Sequence, residues 1–199
     1  EEGFDEGLRA RGIVSLSGVD TRAMTRRIRE SGMPMCAIAH DPAGNIDIEA
    51  LKAEAAGAAS MEGRELAAAV SRDAGGDWDQ GSWSWEDGFA TGPADGPRVV
   101  VLDYGVKANI LRLLVSAGAR VAVLPGNASA DDVRKLAPDG VVVSNGPGDP
   151  AATGEYALPT LKALVDDNLP ILGICLGHQM LALAVGGRTI KMAQGHHGA

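Results

Sequence analysis

Residues 98–124 read RVVVLDYGVKANILRLLVSAGARVAVL, and this pattern predicts one βαβ unit. The run 99–102 is entirely apolar, residues 109–117 carry apolar side chains at helical spacing, and the run 121–124 is apolar again. Strands without apolar–polar alternation are typical of a parallel sheet that is covered on both faces. The unit therefore indicates an α/β protein with helices on both sides of its sheet.

The same alternation continues towards the end of the chain. The predicted elements are, in order, helix 129–137, strand 141–143, helix 159–167, strand 171–174, helix 178–185 and strand 189–192. The predicted fold class is therefore α/β, a three-layer open sheet that is mostly parallel. Ligands of such sheets bind beyond the carboxyl ends of the strands, so we expect the functional residues there.

Part of a smaller α/β domain is expected before this one. Its predicted elements are a helix at 21–31 capped by Asp20 and closed by Gly32, a strand at 35–39, and helices at 48–56 and 64–71. Glycines, prolines and all three tryptophans follow, which is typical of a linker that packs on a neighbour. We expect residues 1–75 in the first domain, 76–97 in the linker and 98–199 in the second domain.

Composition and charge exclude several classes of partner. The formal net charge of -8 argues against a nucleic acid, and no apolar run is long enough to suggest a membrane helix. The two cysteines, Cys36 and Cys175, are too few and too far apart for a disulfide framework, which favours a reducing, cytoplasmic location. Cys36 has no catalytic setting and is predicted to lie in the core.

The segment Gly173–Gly177, GICLG, has the form glycine, any residue, nucleophile, any residue, glycine. It joins a predicted strand to a predicted helix, and a nucleophile on so tight an elbow needs small neighbours on both sides. The helix N-terminus favours the thiolate of Cys175, and the N–H of Leu176 is expected to face a developing oxyanion. A buried structural cysteine is the alternative, but the flanking glycines favour the nucleophile.

The loop Asn145–Pro150, NGPGDP, follows the strand predicted at 141–143. Its glycines permit backbone conformations that aim N–H groups at a ligand. A phosphate cradle is one interpretation, but the loop lacks the Gly-Lys-Ser/Thr sequence that usually accompanies one. A second oxyanion donor, the N–H of Gly148, fits better. A sharp turn without a ligand would be preferred if the loop stood alone.

His178, His196 and His197 are the histidines that could be ligands or a base. No carboxylate or cysteine stands at a useful spacing from them, so no metal site is expected. His178 follows Cys175 by three residues, and one helical turn directs it away from the mouth of the elbow. It is therefore not the predicted base.

These motifs carry a family resemblance. Residues 173–179, GICLGHQ, resemble the nucleophile motif of class I (triad) glutamine amidotransferases, and residues 144–150, SNGPGDP, are similar to their oxyanion loop. The resemblance implies that Cys175 attacks the side-chain amide of L-glutamine, forms a glutamyl thioester and releases ammonia. It also implies two sets of contacts, namely oxyanion donors Gly148 and Leu176, and glutamine-binding residues Gly146, Gly148, Leu176 and Gln179.

Further segments resemble one branch of that family, the small subunits of carbamoyl-phosphate synthases. They are GVDTR at 18–22, the linker around Trp83, DYGVKANILR at 103–112, and GHHG at 195–198. The resemblance implies that ammonia passes to a large subunit, which uses ATP, Mg and bicarbonate in arginine and pyrimidine synthesis. No cofactor is expected on this chain. Residues 1–75 would be the C-terminal part of the small subunit's first domain.

The resemblance also implies a catalytic His followed two residues later by Glu, which this chain lacks. We expect that pair beyond Ala199 and expect both ends of the chain to be cut. Without the base, the 199-residue polypeptide is expected to be inactive or nearly so, while its longer parent is an enzyme. Two other functions stay open, an amidotransferase serving another synthase and a non-catalytic docking module.

Overall fold

A computed structural model describes residues 3–193 and Gly195. The described chain forms two compact units, one made of residues 3–60 with 191–193 and 195, and the other of Met61–Ile190. The sequence placed the main boundary later, at the end of the linker 76–97. The structure differs because the residues from Met61 onward belong to the second unit.

The first unit contains the helices α1 (Phe4–Ala10), α2 (Thr21–Ser31) and α3 (Ile48–Gly57). The Asp20 side chain accepts a hydrogen bond from the Ala23 N–H, which confirms the predicted cap of α2. The strand predicted at 35–39 was wrong. A strand needs a partner for its backbone groups, and the described part of this unit offers no second strand there.

The second unit is built on a five-stranded sheet in the order β1-β5-β4-β6-β7. Its strands are β1 (Gly76–Trp78), β4 (Arg98–Asp103), β5 (Arg120–Pro125), β6 (Gly140–Val143) and β7 (Ile171–Gly173). Strands β4 to β7 pair in parallel, and β1 adds an antiparallel edge. The prediction of a mostly parallel sheet is therefore confirmed.

Helices cover both faces of this sheet. They are α4 (Ala108–Ser116), α5 (Ala130–Lys135), α6 (Pro150–Asp166) and α7 (Leu176–Ala184). Neighbouring residues of β4 point to opposite faces of the sheet. Val101 belongs to the hydrophobic cluster that contains residues of α4, whereas Val100 and Leu102 belong to the cluster on the other face, which contains residues of α5, α6 and α7. The three-layer prediction is confirmed.

The predicted linker 76–97 is a structured part of this unit. After β1, the strands β2 (Gln80–Ser84) and β3 (Gly88–Thr91) form an antiparallel hairpin that contacts α4. The Arg112 guanidinium lies 4.4 Å from the centre of the Phe89 ring and donates to the Gln80 side chain. These contacts with α4 explain why so Trp-rich and Gly-rich a segment is ordered.

Two further predictions in this unit were wrong, and one helix is longer than expected. The segment 64–71 is not a helix, because Glu65 forms a bridge with Gly148 instead. No strand forms at 189–192 among the described residues. Helix α6 begins nine residues before the predicted start, since Asp149 caps it and Pro150 occupies its first turn.

None of the described helices has the length and apolar character that a membrane crossing requires.

Candidate active site

Cys175 stands on a tight elbow between β7 and α7. Its backbone torsions, a φ of 53° and a ψ of -109°, lie in a region that residues with a Cβ rarely adopt. Such a conformation costs about 1–3 kcal/mol and persists only where the surroundings enforce it. The Cys175 residue is exposed, so the elbow presents the thiol to solvent, as the sequence predicted.

Two glycines allow this elbow to form. A Cβ on Gly173 would lie 2.7 Å from the Cα of His178, and a Cβ on Gly177 would fall on the carbonyl oxygen of Val143. The Gly177 N–H donates to the Ser144 carbonyl at 3.1 Å. The absence of a side chain at Gly177 therefore lets the first turn of α7 rest directly on the end of β6.

The loop that follows β6 is fastened to the loop that follows β4. The Ser144 hydroxyl accepts from the Tyr104 N–H at 2.9 Å, and the Asn145 side-chain amide donates to the Gly105 carbonyl at 3.0 Å. Gly146 lies between the Tyr104 carbonyl and the Leu176 side chain, where no Cβ would fit. The predicted oxyanion loop and the elbow are therefore neighbours at one edge of the sheet.

The amides of the two predicted oxyanion donors have no hydrogen-bond acceptor within the described part of the chain. Neither the Gly148 N–H nor the Leu176 N–H donates a hydrogen bond to any residue in 3–193 or to Gly195. Gly148 has a φ of 94°, a conformation that favours glycine. The Leu176 side chain is buried in the core, which anchors the start of α7. Free amides from two loops are what an oxyanion hole requires.

The other predicted site residues lie around the elbow. Gln179 is exposed, and its N–H donates to the Cys175 carbonyl at 3.1 Å, so it stands one helical turn after Cys175. His178 is also exposed. His196 and His197 lie outside the described residues. No group of three or more potential metal ligands converges in the described part of the chain.

The prediction for Cys36 was wrong. Cys36 is exposed, and no residue of the helices in its unit is buried. A core position requires neighbours on every side, and the described residues of this unit do not supply them.

A segment that sequence reasoning missed lies across this edge of the sheet. We call residues 63–72 the strap. The strap contacts the carboxyl ends of three strands or the loops that follow them. Arg72 pairs with the buried Asp103 at the end of β4, the Ser71 hydroxyl accepts from the Gly126 N–H after β5, and the Arg64 carbonyl accepts from the Asp149 N–H after β6. Its local sequence predicted a helix and carried no sign of these distant contacts.

Two tyrosines beside the predicted oxyanion loop stay neutral at physiological pH. Burial raises the pKa of Tyr104 far above its usual value, and the nearby Tyr156 raises it further. Burial also raises the pKa of Tyr156, and the Glu65 carboxylate beside it has the same effect. The two rings stack with their centroids 6.4 Å apart. Both phenol side chains next to the loop are therefore uncharged.

The contact of α7 with β6 gives a direct test of the elbow. Gly177→Ala should lower the free energy of unfolding by about 1–3 kcal/mol, because the added methyl overlaps the Val143 carbonyl. Gly76→Ala is the matched control, since its Cβ would meet nothing within 4 Å. Urea unfolding of the two variants measures the difference. Equal stabilities would contradict the close packing of α7 on the end of β6.

Comparisons with known proteins identify relatives of this chain. The carbamoyl phosphate synthase small chain of Maricaulis maris is 74% identical over 196 residues, which cover 98% of this chain and 50% of that protein. The small chain of Caulobacter vibrioides is 56% identical over the same length and the same shares of both chains. The chain spans about half the length of the curated relatives it matches.

The crystal structure of a Thermoplasma acidophilum protein, provisionally assigned as one component of GMP synthase, matches with 29% identity and a TM-score of 0.40, over 45% of each chain. The family model for class-I glutamine amidotransferases matches residues 100–199, which include the elbow and the oxyanion loop. That match covers half of the chain, and the chain belongs to the class-I glutamine amidotransferase family.

Proposed function

We propose that this chain carries the nucleophile half of a glutamine-hydrolysing site that supplies ammonia to a carbamoyl-phosphate synthase. One observation carries the proposal: an exposed cysteine on a strained elbow adjoins two backbone amides, those of Gly148 and Leu176, that donate to none of the described residues. Relatives named carbamoyl phosphate synthase small chain, 74% and 56% identical, support the choice of synthase.

The reaction begins at the sulfur of Cys175. The thiolate attacks the side-chain carbonyl carbon of glutamine, so a C–S bond forms and the carbonyl electron pair moves to the oxygen. The N–H groups of Leu176 and Gly148 donate to this oxyanion. Each such donor contributes about 3 kcal/mol to the stability of the transition state.

The tetrahedral intermediate then expels the nitrogen. The C–N bond breaks, the nitrogen takes up a proton and ammonia leaves, and the carbonyl re-forms as a glutamyl thioester. Water adds to the thioester, the C–S bond breaks, and glutamate and the Cys175 thiol are released. The proton transfers need a general base and acid, which the family resemblance assigns to a His–Glu pair outside this sequence.

Glutamine binding is assigned to the residues that surround the elbow. Gly146 and Gly148 line the loop side, while Leu176 and Gln179 belong to the first turns of α7. Glycines suit this role because they let a substrate approach the backbone closely. The exposed amide side chain of Gln179 is able to donate to and accept from the polar end of an amino acid.

The remaining chemistry is assigned to a partner. A large synthetase subunit would bind ATP and Mg and combine the ammonia with bicarbonate, in the synthesis of arginine and pyrimidines. Within the described residues both cysteines are free thiols, which fits the reducing cytoplasm that we propose as the location.

Labelling with a glutamine-like electrophile tests the proposal. In the full-length gene product, a diazo ketone analogue of glutamine should modify Cys175 stoichiometrically, and excess glutamine should protect it. Cys36 provides an internal control, because it is also exposed but lies in the other unit. Iodoacetamide should modify both thiols, whereas the analogue should select Cys175, as mass spectrometry of the peptides will show.

Three results would contradict the proposal. Equal reaction of Cys36 and Cys175 with the analogue would show that no glutamine site surrounds the elbow. Absence of labelling in the full-length protein would support a non-catalytic docking module instead. Labelling accompanied by transfer of the ammonia to a different acceptor would favour an amidotransferase of another synthase.

The 199-residue polypeptide alone should hydrolyse glutamine very slowly. General acid–base catalysis typically contributes about 10²–10⁴-fold, so a chain without that pair should lose at least about 100-fold in kcat relative to the full-length protein. Coupled detection of glutamate measures both. Full turnover by the 199-residue chain would show that a residue within it, with His178 the first candidate, serves as the base.

A further inference from the structure

The strap contacts the proposed oxyanion loop through its backbone. The Asp149 N–H donates to the Arg64 carbonyl at 2.9 Å, and the Gly63 N–H donates to the Asp149 carboxylate at 2.7 Å. Next to these bonds, Glu65 pairs with Gly148 in an antiparallel bridge. The residue whose amide is the proposed oxyanion donor therefore lies directly against the strap.

The conformation of Gly148 depends on this contact. A Cβ at Gly148 would lie 2.7 Å from the Arg64 carbonyl oxygen and 3.0 Å from the Leu66 nitrogen, so the strap approaches as closely as a glycine permits. Glycine has several accessible backbone conformations, and only some of them aim its N–H at a given point. The strap reduces the number of conformations open to Gly148, because the hydrogen bond from the Asp149 N–H to the Arg64 carbonyl fixes the peptide unit between Gly148 and Asp149.

The Glu65 carboxylate holds the strap in place. Its Oε1 accepts from the Ala67 N–H at 2.9 Å and from the Ala68 N–H at 3.1 Å, which fixes a turn within the strap. The same oxygen accepts from the Tyr156 hydroxyl at 3.2 Å and from the Thr153 hydroxyl at 3.4 Å, both on α6. One side-chain oxygen therefore connects the strap to the helix that follows the oxyanion loop.

A second connection runs from Tyr156 to the opposite side of the loop. The Tyr156 ring stacks on Tyr104, and the Tyr104 carbonyl lies against Gly146. Tyr104 and Ala67 are both fully buried, so neither ring nor strap has room to shift independently. The loop is consequently held at Gly146 from one side and at Gly148 from the other.

We propose that Glu65 is a positioning residue for glutamine hydrolysis, which keeps the Gly148 amide aimed at the oxyanion by fixing the strap. The inference rests on the proposed function. Glu65 acts through the strap and does not contact the substrate. Its effect is exerted on the transition state, because only there does the oxygen carry the charge that the Gly148 N–H stabilises.

Steady-state kinetics of the full-length protein with its synthetase partner test the proposal. Glu65→Ala should lower kcat for glutamine about 10–100-fold and leave KM within about 3-fold, since loss of a complete oxyanion donor costs about 10²–10³-fold. The rate should be divided by the concentration of Cys175 sites that the glutamine analogue labels, because this normalisation removes any effect of unfolded protein.

Two further variants separate positioning from charge and from folding. Glu65→Gln keeps an acceptor oxygen for the Ala67 and Ala68 amides and should recover most of the kcat. Tyr156→Phe removes one donor to Glu65 with little change in volume and should lower kcat about 2–5-fold, so it serves if Glu65→Ala does not fold. Glu155→Ala, at an exposed glutamate of α6, is the matched control and should keep the full rate.

The results that overturn the proposal differ from those that overturn the proposed function. Normal turnover by the unaltered protein, with kcat unchanged in both Glu65→Ala and Tyr156→Phe, would remove Glu65 from the mechanism and leave glutamine hydrolysis intact. A fall in kcat that disappears after normalisation to titrated sites would assign Glu65 to folding alone. Absence of turnover and of labelling in the unaltered full-length protein would overturn both proposals.

Discussion

The site depends on the close approach of α7 to the end of β6. The Gly177 N–H reaches the Ser144 carbonyl at 3.1 Å, and the space beside Gly177 is too small for any side chain. This contact sets the distance between two segments that are about 30 residues apart in the sequence. A larger residue at Gly177 would push the first turn of α7 away from β6 and separate the thiol from the loop that follows β6.

The strained backbone of Cys175 is a consequence of the same packing. Leu176 and Met180 anchor α7 in the core, and β7 is held in the sheet by β6, so the residues that join them must turn sharply. The positive φ of Cys175 makes that sharp turn possible. The outcome is a rigid, exposed thiol on regular elements, which is more accurately placed than one on a flexible loop.

The strands and the elbow of the site could be predicted from the sequence, whereas the strap could not. Apolar runs such as 99–102 and 141–143 are long enough to identify buried parallel strands, and the glycines at 173 and 177 identify the elbow. The strap could not be found in this way. Its sequence is compatible with a helix, and the alternative is stabilised by groups such as Asp149 and Tyr156, which lie more than 80 residues away. The strand expected at 35–39 failed for a related reason, since a strand is defined by its partner.

In the proposed mechanism the Leu176 and Gly148 amides converge on the oxygen of a substrate attached to Cys175. A glutamine-like aldehyde that adds reversibly to the thiol would place a tetrahedral oxygen at that point, and a crystal structure of the adduct in the full-length protein would show its contacts. Both amide nitrogens should lie about 2.7–3.1 Å from this oxygen. An adduct whose oxygen faces solvent, or contacts neither amide, would contradict this mechanism.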